Sequence, residues 1–298
     1  MEFRRSVIAQ NEAITAGSTV THDLPVNPMS HLIMTLRGLN VIDEATLAQI
    51  LERISKVEIL RFGASIFSLS GADLHKLNAI LLRNMPILAN QVAADNSSRW
   101  ISLIIPFSRK MYDPNEGLPA TTRGELKLQI TFSSTETEID NLTLQVESAE
   151  MLGATPKRYL KVTTLTQTMT SGVDNDVELP IGNQIAGLLI YSTTIPTGGV
   201  FTTTAGKMRM LIDNVEKMFA ATNWESLHGE VISRLGHREA YDASADNDDV
   251  ANYALMDFSP NGTDDFIVET KGKSSLVLKI TAGDANAVRV LPVELVTM

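Results

Sequence analysis

The sequence predicts an all-β chain made of two tandem eight-stranded jelly-roll β-sandwiches, with a few short helices in the connections. Three observations predict it. The chain repeats itself once along its 298 residues. Apolar and polar residues alternate in short runs, the period of a half-buried strand. Helical periodicity is confined to three segments, so helices do not follow each strand as a parallel βαβ sheet requires.

The repeat shows when residue n is laid against residue n+155. Asp23-Leu24-Pro25-Val26 falls on Glu178-Leu179-Pro180-Ile181, Gly17 on Gly172, and the apolar run 33–36 on 188–191. The offset then shrinks. At 152, Ser70-Gly71-Ala72-Asp73 meets Thr222-Asn223-Trp224-Glu225, each a hydroxyl residue with an acid three positions on, the pattern of a helix cap. At 151, Ala94-Asp95-Asn96 meets Ala245-Asp246-Asn247 and Phe107 meets Phe258. At 150, Leu126, Leu128 and Ile130 meet Leu276, Leu278 and Ile280, and at 147 Val146-Glu147 meets Val293-Glu294. The join is expected at Gly153-Ala154-Thr155-Pro156, where Gly and Pro break regular structure. This gives an N-terminal sandwich over 1–153 and a C-terminal one over 154–298.

In the first half, residues 5–9, 31–37, 57–62, 65–69, 100–107, 124–132 and 142–146 read as strands. Residues 124–132 are the clearest: Leu126, Leu128, Ile130 and Phe132 share one face and the polar residues between them the other. In the second half the strands are 159–166, 186–192, 208–212, 215–219, 253–258, 266–269, 276–280 and 288–296. Residues 45–55 place Leu47, Ile50, Leu51 and Ile54 on one helical face. Residues 74–84 form a second helix that stops before Pro86. Residues 224–235 form a third, with Gly236 as its C-cap. The Thr- and Gly-rich stretch 193–206 reads as a loop, so half two lacks the first helix.

Composition narrows function. There is no cysteine, which removes disulfide scaffolds, thiol catalysis and cysteine-based zinc sites. The net charge is -10: residues 1–150 carry 13 basic against 17 acidic side chains, and 151–298 carry 12 against 18. Neither half looks specialised for nucleic acid. No apolar run approaches the roughly 18 residues of a spanning helix. Met1-Glu2-Phe3-Arg4-Arg5-Ser6 lacks the apolar core of a signal peptide, so synthesis in the cytoplasm is expected.

Recognisable catalytic and ligand-binding motifs are mostly absent. No phosphate-binding glycine loop, nucleophile elbow or His-Glu-x-x-His occurs. The histidines, His22, His31, His75, His228 and His237, include no closely spaced pair, which disfavours a cupin-type metal site. No catalytic residue, cofactor or metal is expected. Asp174-Asn175-Asp176 and Asp246-Asn247-Asp248-Asp249 read as solvated turns, with a calcium site as the alternative. Arg4, Arg5, Lys157, Arg158 and Lys161 stand at the start of each half. If those starts share one end, they form an inner-face basic patch that could meet lipid headgroups or nucleic acid. The blander reading is that these charges solubilise strand ends.

Two sandwich units without a site suggest work done through surfaces. The chain resembles the double jelly-roll major capsid proteins of tailless icosahedral viruses and bacteriophages, the lineage that includes the adenovirus hexon. The resemblance spans nearly the whole chain. It rests on the two units, on Leu24 to Val26 and Leu179 to Ile181 leading into an apolar strand, and on the capped helix in each half. It implies upright sandwiches, a homotrimer of pseudo-hexagonal outline tiling an icosahedral virion shell, and an N-terminus facing inward. Partners would be further copies of the chain and neighbouring capsomers, and could include minor capsid or vertex proteins and an internal membrane. Sequence-specific nucleic acid would not be one. The short connections imply low outer towers, with 108–123 and 236–252 as the longest loops.

Two alternatives stand beside it. A viral spike or lectin-like β-sandwich would bind carbohydrate or a receptor, but aromatics are only 5% and both Trp100 and Trp224 read as packing residues. A bicupin metalloenzyme is third.

Overall fold

The computed structural model describes residues 2–298 except 84, 91, 93, 136–137, 197–198, 236–240, 243–246, 249 and 261. The chain divides into two compact units, Met1–Lys161 with Thr297–Met298, and Val162–Val296. The division falls beyond the expected join at 153/154. A turn does occur there, with Gly153 at φ +77° and Ala154 N–H donating to Met151 O. The next strand nevertheless starts inside the first unit, because Lys157 N–H donates to Asn115 O and Leu160 N–H to Phe107 O.

The first unit contains β1 (Glu2–Ala13), β2 (Thr19–Asp23), β3 (Met29–Asn40), α1 (Leu47–Glu52), β4 (Ile54–Arg61), β5 (Ala64–Leu69), α2 (Gly71–Leu81), β6 (Ser98–Pro106), β7 (Leu126–Phe132) and β8 (Ile139–Leu152). β9 (Arg158–Thr163) carries the chain onward. The strands form two antiparallel arrays in the orders β1-β8-β3-β6 and β2-β7-β4-β5. Alternation sets the inner faces. Leu32, Met34 and Leu36 are buried with Leu103, Leu144 and Val146, while Thr35 and Arg37 point outward. Leu126, Leu128, Ile130 and Phe132 are buried on β7, as its period of two requires. A register shift between Arg37 and Leu39 reconciles β3 with β8. There Asn141 takes φ +47° and Gly38 sits so close that a Cβ would lie 2.5 Å from Ile139 Cγ1, so only glycine fits this bulge.

The two helices of this unit are short and each has a hydroxyl N-cap. Thr46 and Gln49 form a capping box on α1, but this helix covers only six residues and not the expected 45–55. Ile54 is taken instead as the buried first residue of β4. Ser70 caps α2 through Asp73 N–H, and Gly71 lets α1 approach: a Cβ there would lie 2.5 Å from Leu51 O. Asn78 of α2 clamps the edge of β6, donating to Ile104 O and accepting from Ile104 N–H at 2.7 Å each.

The second unit contains β10 (Leu165–Thr168), β11 (Asp174–Glu178), β12 (Gln184–Ser192), β13 (Lys207–Ile212), β14 (Val215–Glu216), β15 (Thr222–Asn223), α3 (Trp224–Leu235), β16 (Tyr241–Asp242), β17 (Asn247–Asp248), β18 (Tyr253–Asp257), β19 (Val268–Glu269), β20 (Leu276–Thr281) and β21 (Ala287–Thr297). Its main orders are β10-β21-β12-β18 and β11-β20-β13-β14. Each strand occupies the place of its counterpart in unit one: first beside last beside third, second beside seventh beside fourth. One core spans both arrays, with Leu188, Ile190, Met256 and Val290 from one and Met208, Met210, Leu278 and Ile280 from the other. α3 holds the expected 224–235, while its C-cap position at 236 lies outside the described residues. No helix occurs among the described residues of 193–206.

Pairing fixes the repeat residue by residue. Thr19 lies opposite Thr131 and Asp174 opposite Thr281, so the offsets of 155 and 150 hold there. Phe107 N–H donates to Ser30 O and Phe258 N–H to Ala186 O, so the offset of 151 holds for Phe107. It is 156, not 155, along β3 and β12. The two sequences approach that strand as Leu24-Pro25-Val26-Asn27 and Leu179-Pro180-Ile181-Gly182-Asn183, and Gly182 is the extra residue. The match of 33–36 to 188–191 was therefore one residue out, which would have swapped the faces of the strand. Ala245 and Asp246 lie outside the described residues.

Candidate functional site

The five basic residues at the two starts all belong to the first unit. Glu2 pairs with Leu152, so β1 begins at the end where β8 finishes, and the turn at Gly153 returns the chain toward Arg158. Most of the charge is spoken for. Arg4 binds Glu150 at 2.7 Å, Arg5 binds Glu147 at 3.3 Å and Arg158 binds Glu116 at 2.6 Å. Lys157 is exposed and Lys161 half-buried.

The carboxylates opposite them are the feature that sequence reading missed. Glu150 is buried and accepts from Arg4, from Ser6 at 2.6 Å and from Asn27 at 2.6 Å. Burial pushes its pKa up, but these donors outweigh burial and hold it below the usual glutamate value. Glu116 is buried between Arg109 and Arg158, again with burial overcome by the guanidiniums. In unit two, Asn183 donates to buried Glu294 at 2.7 Å, the counterpart of Asn27 and Glu150. Val293-Glu294 therefore corresponds to Ala149-Glu150 and not to Val146-Glu147. An Asn just ahead of each apolar strand, Asn27 before β3 and Asn183 before β12, was the signal available in the sequence.

The acidic stretch Asp174-Asn175-Asp176 is not a turn. It is β11, an edge strand paired along its length with β20. Thr281 donates to Asp174 at 2.6 Å, Arg209 also pairs with Asp174, and Lys279 pairs with Asp176. These oxygens already face cations and a hydroxyl, the opposite of a vacant calcium cage. Asp246 and Asp249, and the side chains of Asn247 and Asp248, lie outside the described residues, as does His237.

The remaining histidines are scattered. His22 lies 2.9 Å from Glu12. His31 is buried beside Ser30 and against the Tyr112 ring. His75 contacts Pro86 O at 2.8 Å and His228 contacts Tyr253 O at 2.7 Å while stacked on Trp224. No group of three or more candidate metal ligands occurs among the described residues, and no helix there is long and apolar enough to cross a membrane.

Among the described residues, hollows open on the surface of the first unit. One, of about 320 Å³, is lined by Glu2, Phe3, Tyr112 and Met151. A second, of about 550 Å³, lies on the outer face of β3 and β6 and includes Thr35, Arg37, Trp100 and Ser102. Trp100 was expected to pack in the core, yet it is 40% exposed, because it falls on the outward parity of β6. Trp224 is buried as expected.

No protein-family model and no curated protein matches the sequence. Solved structures do match, over the whole chain. A chain of the Sulfolobus turreted icosahedral virus, described as its MCP, superposes with a TM-score of 0.74 at 14% identity, covering 100% of this chain and 97% of its own. The major capsid protein of bacteriophage PM2 gives 0.68 at 14% identity, covering 99% and 98%. A chain of the PBCV-1 virus capsid gives 0.66 at 10%, covering 99% and 93%. These likenesses show a mostly β fold shared from end to end with capsid chains.

Proposed function

We propose that the chain is a double jelly-roll major capsid protein, a structural wall component of an icosahedral virion and not an enzyme. One observation carries the reading: the likeness to capsid chains runs unbroken through both units and nearly the full length of the matched chains. An accidental likeness of one sandwich would cover half. The strand orders support the finer reading of eight strands per jelly roll, because two Greek keys rolled into a sandwich give this alternation in each unit.

Duplication then serves assembly. Two similar units per chain let three chains present six near-equivalent edges while the trimer stays closed and symmetric. With the N-terminus facing the interior, the connection 107–125 lies at the inner end of the first unit, since it leaves β6 beside His31 near the Glu2–Leu152 pair. β5 ends and β6 begins at the outer end, and between them α2 runs along the edge of β6 as far as Ile104, toward the inner end. Residues 236–252 fall largely outside the described residues. The paired arginines at the inner end leave little bare positive charge for lipid or nucleic acid.

Size-exclusion chromatography with light scattering tests the reading. A stable species of about three times 32.5 kDa, hexagonal in negative stain, is expected. A monomer that stays monomeric as concentration is raised would overturn it.

A further inference from the structure

We propose that the outer face of β3 and β6 is a binding site for an acidic saccharide, a sugar unit bearing a carboxylate. The hollow there, about 550 Å³, falls within the usual range for small-ligand sites. Its floor is built from two cross-strand pairs on one face. Arg37 lies directly opposite Trp100, and Thr35 directly opposite Ser102. The rigid sheet fixes all four at neighbouring positions.

Each member supplies a part of sugar recognition. Trp100 presents a large apolar ring to solvent, a stacking surface for the C–H face of a pyranose. Thr35 and Ser102 share a hydrogen bond of 2.8 Å and keep further capacity to bond sugar hydroxyls. Arg37 supplies the charge. Its guanidinium is held by two neutral amides, Asn11 Oδ1 at 3.0 Å and Gln145 Oε1 at 2.9 Å. No carboxylate among the described residues stands within ion-pair distance of it. The nearby Glu147 accepts from Gln145 and pairs with Arg5. Arg37 therefore keeps its positive charge and three of its five N–H donors for a ligand, in the planar fork that suits a carboxylate.

A neutral sugar would use the ring and hydroxyls and leave the guanidinium idle. A phosphate would use the guanidinium and leave the ring idle. An acidic sugar uses both. The inference is independent of the capsid reading, since it concerns one face of one unit.

Trp100 is also a reporter, because Trp224, the other tryptophan, is only 1% exposed. The full chain is titrated with N-acetylneuraminic acid, glucuronic acid, galactose and inorganic phosphate, following tryptophan fluorescence and ligand-observed NMR. Saturable binding of an acidic sugar, tighter than galactose and phosphate, is expected. Trp100→Ala should weaken it by about tenfold. Arg37→Gln should erase the preference for acidic over neutral sugar while galactose binding is unchanged, a readout that misfolding would not produce. Absence of acidic-sugar binding, equal binding by Trp100→Ala, or an acidic preference that survives Arg37→Gln would each overturn the proposal.

Discussion

Asn183 donates to the buried carboxylate of Glu294 at 2.7 Å, at the place in the second unit that Asn27 and Glu150 occupy in the first. Both carboxylates sit on the last strand of their unit beside the start of the third strand. A buried acceptor that loses its donor is costly. Asn27→Ala and Asn183→Ala should therefore each cost about 1–3 kcal/mol, the price of removing one partner from a buried acceptor. Urea unfolding measures this. A change near zero for both would mean that the amides are incidental.

Glu116 should matter more than any residue that binds it. It is buried and receives Arg158 at 2.6 Å and Arg109 as a second partner. Glu116→Gln removes the charge that both guanidiniums meet, for an expected loss of about 3 kcal/mol. Arg158→Ala should cost less, since Arg109 remains. The pKa of Glu116 is lowered on folding from 4.5, because the two arginines outweigh burial. Its contribution is thus present above the ordinary glutamate range and is lost as pH falls below it. The stability difference between wild type and Glu116→Gln should shrink at acid pH, and a constant difference would contradict the pairing.

Strands with clean alternation were legible in the sequence, and so was the repeat, because burying one face leaves a period-two trace. β2 and β11 were not. β2 buries no residue and β11 only Val177, so these edge strands carry almost no hydrophobic signal. Their mutual alignment at 155, ending in Leu24-Pro25 and Leu179-Pro180, was the available clue. α1 is shorter than its spacing predicts because Ile54 fits the helical face but is claimed by the sheet. The outward side of Trp100 was not legible, because an apolar residue at the start of an apolar run says nothing of its parity. The buried glutamates are marked in the sequence only by the Asn that precedes each apolar strand, since a lone charge in sequence looks solvated.

Buried histidines predict a second pH dependence. Burial, with Arg5 nearby, lowers His31 from 6.5 to about 4, and burial, with Lys76 nearby, lowers His75 to about 3 against the contact to Pro86 O. The folded state holds both neutral where the unfolded chain takes up protons. Stability is therefore full above pH 6.5 and falls as pH drops toward 4 and then 3. The melting temperature should decline between pH 7 and pH 5, and the decline should be smaller in His31→Gln and in His75→Gln. An equal decline in the variants would assign it to other groups.

The edge strand β11 offers a test of register. Asp176 lies directly opposite Lys279, and Asp174 opposite Thr281 with Arg209 as a further partner. Opposite charges facing each other across a ladder stabilise by about 0.2–1 kcal/mol, and like charges destabilise by a similar amount. Asp176→Lys should thus lower stability by up to about 1 kcal/mol. Adding Lys279→Asp should return most of the loss, because the pair is restored with its signs exchanged. Only residues in contact show such coupling. The hydrogen bond from Thr281 comes first in lowering the pKa of Asp174, and with the nearby Arg209 and Lys279 it outweighs burial. With its oxygens so engaged, added calcium or a chelator should leave the melting temperature unchanged. Additive losses in the double variant would break the register, and a calcium-dependent melt that disappears in Asp174→Asn would return the stretch to ion binding.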